Sequence, residues 1–107
     1  MSNPNKAKGD RAELEIAHYL SDKLKRTIRR KLGAGRQDDT GDIDGLDNWT
    51  IQVKNRKDIA RTIREGMKQL AEQQKNANTD NAVLLVRQTG GNWLAVMTID
   101  QYIALIE

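Results

Sequence analysis

Apolar positions along this chain first recur at helical spacing, then alternate, then run together, and these patterns predict eight elements. From about Lys8 to Leu24 the spacing predicts a helix, with Ile16, Ala17, Leu20 and Leu24 on one apolar stripe. Thr27 to Leu32 alternates and predicts a strand. The next residues, Gly33-Ala34-Gly35-Arg36-Gln37-Asp38-Asp39-Thr40-Gly41, break any period and read as a loop. Asp42 to Leu46 and Trp49 to Lys54 read as two strands joined at the Asp47-Asn48 turn, a hairpin.

Asp58 is placed to cap a helix running to about Asn76, with Ile59, Ile63, Met67 and Leu70 facing inward and Gly66 as a weak or close-packed point. The continuous apolar run Ala82 to Val86 predicts a strand buried on both faces. Gly90-Gly91-Asn92 turns the chain into a strand from Trp93 to Met97. Thr98-Ile99-Asp100-Gln101 has the capping-box pattern and opens a last helix, with Tyr102, Ile103 and Ile106 expected inward. The order α-β-β-β-α-β-β-α predicts an α/β fold: a single small domain with a central mixed sheet flanked by helices. Residues 1–7 lack apolar partners and are expected as a flexible tail, leaving 8–107 as the domain.

Two polar features stand out against this frame. Glu13 sits on the apolar stripe of the first helix, three residues before Ile16. Two readings are open: an acid at a helix N-terminal end that emerges into solvent, favoured by the helix dipole, or a carboxylate kept for a ligand. In the predicted hairpin, Ile51 and Val53 take one face, so Gln52 and Lys54 look out together, and Ile43 leaves Asp42 and Asp44 on the opposite side. Pairing those strands brings Asp42, Gln52 and Lys54 close. An ordinary half-buried hairpin with a polar outer face gives the same local pattern.

At 107 residues the chain has room for one core. With 37% hydrophobic and 31% charged residues, its profile is globular. It has no cysteine, which excludes disulfides, thiolate metal sites and cysteine nucleophiles. With neither an apolar leader nor a membrane-length apolar run, a cytoplasmic protein is expected. The net charge of +3 is modest, but its distribution is uneven. Lys23 to Arg36 carries basic residues and no acid, Lys54 to Lys68 is a second basic group, and acids gather between Asp38 and Asp47. Solvated faces explain charge runs of this kind; a polyanion held beside a metal explains them too.

Phosphodiester hydrolysis needs a hard divalent cation, an activated water and a positive group near the developing charge. Asp42 offers the carboxylate, the Val53 carbonyl an extra oxygen, Glu13 a further ligand, and Lys54 the positive group. His18 has no partner at ligand spacing, Ser21 no triad pattern, and Trp49 and Trp93 read as packing residues.

Four segments in order, Lys8-Gly9-Asp10-Arg11-Ala12-Glu13-Leu14-Glu15, Gly33-Ala34-Gly35, Gly41-Asp42-Ile43 and Ile51-Gln52-Val53-Lys54, resemble the PD-(D/E)XK nuclease superfamily, and within it the archaeal-type Holliday junction resolvases. The resemblance implies catalytic roles for Glu13, Asp42, Gln52 and Lys54, and a magnesium ion, with manganese as substitute, held by Asp42, Glu13, Gln52 and the Val53 carbonyl. It implies metal-dependent cutting of four-way DNA junctions by a two-fold dimer, with no small-molecule cofactor and no membrane. Trp93, Leu94 or the last helix are candidates for the dimer surface. Lys8, Arg29, Arg30, Lys31, Arg36, Arg56 and Lys57 would contact DNA phosphates without reading sequence.

Gln52 departs from the pattern, which has an acid there. An amide oxygen ligates magnesium but brings no charge and is no base. Either Glu13 or Asp44 compensates, with Glu13 the preferred reading, or metal affinity is weak, or the domain binds without cutting. The alternatives are therefore a related nuclease acting on flaps, nicks or duplex, and a catalytically silent nucleic-acid-binding module.

Overall fold

A computed structural model describes residues 4–32 and 38–107. Among them the elements run α1 (Pro4–Leu24), β1 (Arg29–Arg30), β2 (Ile43–Asp44), β3 (Trp49–Lys54), α2 (Ile59–Ala77), β4 (Asn81–Arg87), β5 (Trp93–Val96) and α3 (Ile99–Ile106). The expected element order is therefore present. Residues 33–37 of the glycine loop, Arg36 among them, lie outside the described residues.

The sheet is mixed, in the order β3-β4-β5, with β3 and β4 parallel and β5 antiparallel to β4. This corrects the hairpin expectation. After the Asp47-Asn48 turn β3 returns beside β2, joined to it by the Asp42 N–H bond to the Ile51 carbonyl, but the two form no ladder; β2 pairs with β1 in a separate two-stranded ribbon. A parallel pair needs a crossover, and α2 is that crossover, so it lies on a sheet face. Register sets the faces. Ile51 pairs with Val83 on the α1 side, where Ala12, Ile16, Ala17, Ile28 and Ile43 complete one core. Gln52 pairs with Leu84 on the α2 side, where Leu70, Ala82 and Val86 form the second. The face of β3 expected to look out is covered by α2.

Other boundaries moved for physical reasons. Helix α1 begins at Pro4, so Pro4 to Ala7 are helical rather than tail. Proline is favoured in a first helical turn, and the Lys6–Asp10 pair at 3.0 Å spans one turn, so no apolar stripe was needed there. The strand expected over Thr27 to Leu32 shrinks to Arg29–Arg30, because Ile28 finds the core while Leu32 is 87% exposed. Asp58 caps α2 by accepting from the Arg61 N–H at 3.1 Å, as its sequence position predicts.

The last helix is oriented differently from expectation. Tyr102, Ile103 and Ile106 are exposed, and Gln101 is the buried residue. The β4–β5 pairing extends only to Leu84, so the Ala82 N–H lies beyond it. Gln101 Oε1 accepts from that N–H at 2.8 Å, and its Nε2 donates to Asn81 Oδ1 at 2.9 Å. A buried backbone donor without a partner is costly, so α3 is anchored by an amide rather than by its apolar side. Trp49 and Trp93 pack against the first core, and Trp93 Nε1 donates to Glu15 at 2.7 Å. Among the described residues no helix is long and apolar enough to cross a membrane.

Gly66 fixes how closely α2 approaches the sheet. A Cβ there would lie 2.8 Å from Leu84 Cδ2, and Leu84 is completely buried. Gly66→Ala is expected to lose up to about 2 kcal/mol. Overpacking costs about 1–3 kcal/mol, against a helix-propensity gain of about 1. Urea unfolding measures it; a stabilised variant would show that α2 can move away from β4.

Candidate active site

Asp42 is held by its backbone between two strand systems. Its N–H donates to the Ile51 carbonyl at 2.7 Å, and its carbonyl accepts from the Lys31 N–H at 2.8 Å. Gly41 allows this. It has a φ of +107°, and a Cβ there would stand 3.0 Å from the Ile51 carbonyl oxygen. The Asp42 carboxylate then turns onto β3, where Oδ2 accepts from the Val53 N–H at 2.9 Å. In an extended strand a residue's N–H and C=O share one edge, so the Val53 carbonyl faces the same side.

The residues expected to carry the chemistry meet in one cleft of about 630 Å³. Glu13, Asp42, Gln52, Val53 and Lys54 all line it. Lys8, Arg56 and Lys57 line it as well. Arg29 and Lys31 are elsewhere, lining a second, shallower depression with Asp38 and Asp44. Asp44, weighed above as compensation for Gln52, therefore does not line the cleft that holds Gln52.

Two expected side chains have different surroundings from those anticipated. Arg30, expected as a phosphate contact, donates from Nε to Glu13 Oε1 at 3.0 Å and from Nη2 to Asp10 Oδ1 at 2.8 Å. It is a clamp across α1, and it takes up charge that Glu13 would otherwise offer to a cation. Gln52, expected to look out, is 6% exposed beneath α2. Its Oε1 accepts from Gln73 Nε2, and its Nε2 lies 3.5 Å from Gln69 Oε1. Arg56 pairs with Glu65 at 3.4 Å, an exposed contact worth little against a competing phosphate. Lys31 Nζ donates to the Thr40 carbonyl at 3.1 Å.

The cleft is electrostatically unbalanced. Burial pushes the Asp42 carboxyl up to about 6; the Val53 N–H opposes this, and the charges of Glu13 and Asp39 add to it. Burial, then the neighbouring Arg56, draws Lys54 below the usual lysine range, against the pull of Asp42, Glu65 and Asp39. A buried carboxyl that resists ionisation is stabilised by a cation placed beside it.

Among the described residues no three acids or histidines converge as a metal cage. A hard cation here would rest on Asp42 with the neutral oxygens of Gln52 and Val53, and with waters. That donor set suits magnesium, which commonly takes one or two carboxylates and keeps several waters.

The sequence reading missed Gln73 and Asp39. Gln73 is 2% exposed, and its Nε2 donates both to Gln52 and, at 2.8 Å, to Asp39 Oδ2. A signal was present: Thr62, Gly66, Leu70 and Gln73 share the buried side of α2 at helical spacing, which puts an amide on a core-facing stripe. His18 is exposed, and Ser21 is spent locally, its Oγ bonding both the N–H and the carbonyl of Ile28. Comparison of the chain with protein-family models, with curated proteins and with solved structures found no match.

Proposed function

We propose that this chain is a magnesium-dependent endonuclease of the PD-(D/E)XK type that cuts branched DNA, with the four-way junction as preferred substrate. One observation carries the reading: Glu13, Asp42, Gln52, Val53 and Lys54, from α1, β3 and the loop before β2, line a single cleft. The order of helices and strands, with α1 and α2 on opposite faces of the mixed sheet, supports the same reading.

In this proposal Asp42 anchors the cation, with Gln52 and the Val53 carbonyl as neutral oxygens beside it. Bound magnesium would polarise the phosphate and ease ionisation of the attacking water. Lys54 compensates the charge that develops on the phosphate oxygens. Arg30 holds Glu13 in place through a part-buried ion pair. Lys8, Arg56 and Lys57 contact flanking phosphates at the cleft, and Arg29 and Lys31 contact them at the second depression. Two symmetric cuts across a junction require two sites, so the active assembly is a two-fold dimer.

A second reading has its own observation. Gln52 carries no charge, and Glu13 is paired with Arg30, so the fold also suits a module that binds nucleic acid and does not cut. One experiment separates the two. A labelled four-way junction and the matching linear duplex are incubated with magnesium or EDTA, using wild type and Asp42→Ala. The expected result is paired, magnesium-dependent nicks in the junction that vanish in the variant. Equal cutting of linear duplex moves the substrate to unselected DNA. Binding without cutting, in magnesium and in manganese, overturns the enzyme and leaves the binding module.

A further inference from the structure

The nuclease reading requires negative charge beside the cation, and position 52 does not supply it. The surroundings of Gln52 do. Gln73 Nε2 has two hydrogens and two acceptors, Gln52 Oε1 and Asp39 Oδ2, so one buried amide bridges the cleft residue and a carboxylate. The bridge has one orientation. With the Gln73 amide reversed, its oxygen would face two other acceptors, one of them a carboxylate. In this orientation Gln73 Oε1 is buried with no partner among the described residues. A buried acceptor left unpaired by protein groups costs stability unless a water or an ion meets it.

Asp39 is itself fixed from two sides. Its Oδ1 accepts from the Gly41 N–H at 3.0 Å, one residue before Asp42, and its backbone carbonyl accepts from Asn76 Nδ2 on α2 at 2.9 Å. The loop that delivers Asp42 and the helix that covers Gln52 are thus tied together through one residue. The charge of Asp39 reaches both Asp42 and Lys54, opposing ionisation of the first and favouring the charged form of the second. Of the two acids weighed from the sequence, only Glu13 lines the cleft. Glu13 is engaged by Arg30 at 3.0 Å, and Asp44 lines the other depression.

We propose that Asp39, coupled through Gln73 to Gln52, supplies a divalent cation bound at Asp42 with the negative charge that an acid at position 52 would otherwise provide. Asp39 is a positioning residue rather than a ligand: it fixes the Gln52 carbonyl oxygen and biases the cleft toward a cation. The proposal rests on the nuclease reading for the presence of that cation.

The test is manganese binding to the full chain, read from the loss of the free-ion electron paramagnetic resonance signal, with no DNA present. Asp42→Asn serves as the reference for binding at this site. Asp39→Asn is expected to weaken binding about tenfold, as the loss of an outer-shell partner does. Adding Gln52→Glu to Asp39→Asn is expected to restore it, because the charge returns at the neighbouring position. A purely structural role for Asp39 gives no such rescue, since Gln52→Glu makes no contact for the loop. Gln73→Met, which cuts the bridge and leaves Asp39 in its loop, is expected to weaken binding several-fold, less than Asp39→Asn does.

Wild-type affinity in Asp39→Asn or in Gln73→Met overturns the proposal. So does a double variant that is folded by circular dichroism yet binds as weakly as Asp39→Asn. If wild type itself binds no manganese in an Asp42-dependent way, the nuclease reading falls and this proposal falls with it. Asp42-dependent binding that ignores residue 39 removes this proposal alone.

Discussion

Without divalent cations at pH 8, Asp42→Asn is expected to be more stable than the wild type by about 2 kcal/mol, while losing all magnesium-dependent cleavage. The cause is the burial that pushes the Asp42 carboxyl from 3.8 to about 6, joined by the charges of Glu13 and Asp39. A carboxyl raised in the folded state binds more protons folded than unfolded. Its favourable contribution is complete below about pH 4 and is lost as the pH climbs through about 6. A shift of about two units corresponds to about 3 kcal/mol, which we discount because the carboxylate is only part-buried. Asparagine removes the charge and keeps an oxygen for the Val53 N–H, so the anchor of the loop survives.

In a chain of this length such a change raises the melting midpoint by about 10 °C. The difference between the two proteins should open between about pH 4 and 6 and stay constant above it. Magnesium should reverse part of it, stabilising the wild type through preferential binding to the folded state and leaving Asp42→Asn unmoved. Coincident melting curves at pH 8, or equal magnesium shifts for both proteins, would remove Asp42 as the cation anchor. The proposed activity and the stability of the metal-free fold then oppose each other at one residue, as expected where a site is built for charge it does not itself balance.

Much of this architecture is written locally. The Asp58 cap, the apolar run of β4 and the Thr98 N-cap each depend on neighbours within a few residues, and each lies where the sequence predicts, although Gln101, expected to close a capping box, bonds β4 instead. What the sequence hides is which face of an element meets what. Gln52 alternates with Ile51 and Val53 as an outward residue would, yet β3 runs parallel to β4, and the crossover helix covers it. Nothing in six residues of strand announces that pairing. The same holds for α3, whose apolar residues suggest burial while Gln101 does the anchoring.

The candidate site divides in the same way. Glu13, Asp42, Val53 and Lys54 can be picked out because carboxylate, carbonyl and ammonium at that order resemble a known arrangement. Arg30 looked like one more basic residue in a basic run; only the fold brings it against Asp10 and Glu13. Asp39 and Gln73 are 34 positions apart, and their hydrogen bond is purely tertiary.

Lys54→Met is expected to slow junction cleavage by about 100- to 1,000-fold, the loss typical when one preorganised donor to a developing negative charge is removed. Lys54 closes β3 and pairs with Val86, so its position is set by the ladder. It is half-buried and lines the cleft with Asp42, and the carboxylates of Asp42, Glu65 and Asp39 favour its charged form against burial and Arg56. Methionine keeps the length and packing of the stem and removes only the ammonium. Lys54→Arg is not expected to rescue, because a planar guanidinium needs more width than a point charge at this half-buried position. Junction affinity should change little, since Lys8, Arg56 and Lys57 remain at the cleft to hold phosphates. Single-turnover cleavage measured beside equilibrium binding separates the two effects. A fall in rate at constant affinity assigns Lys54 to the transition state. A fall in affinity with an unchanged bound-state rate makes it one more phosphate contact, and the charge on the reacting phosphate must then be met by another group.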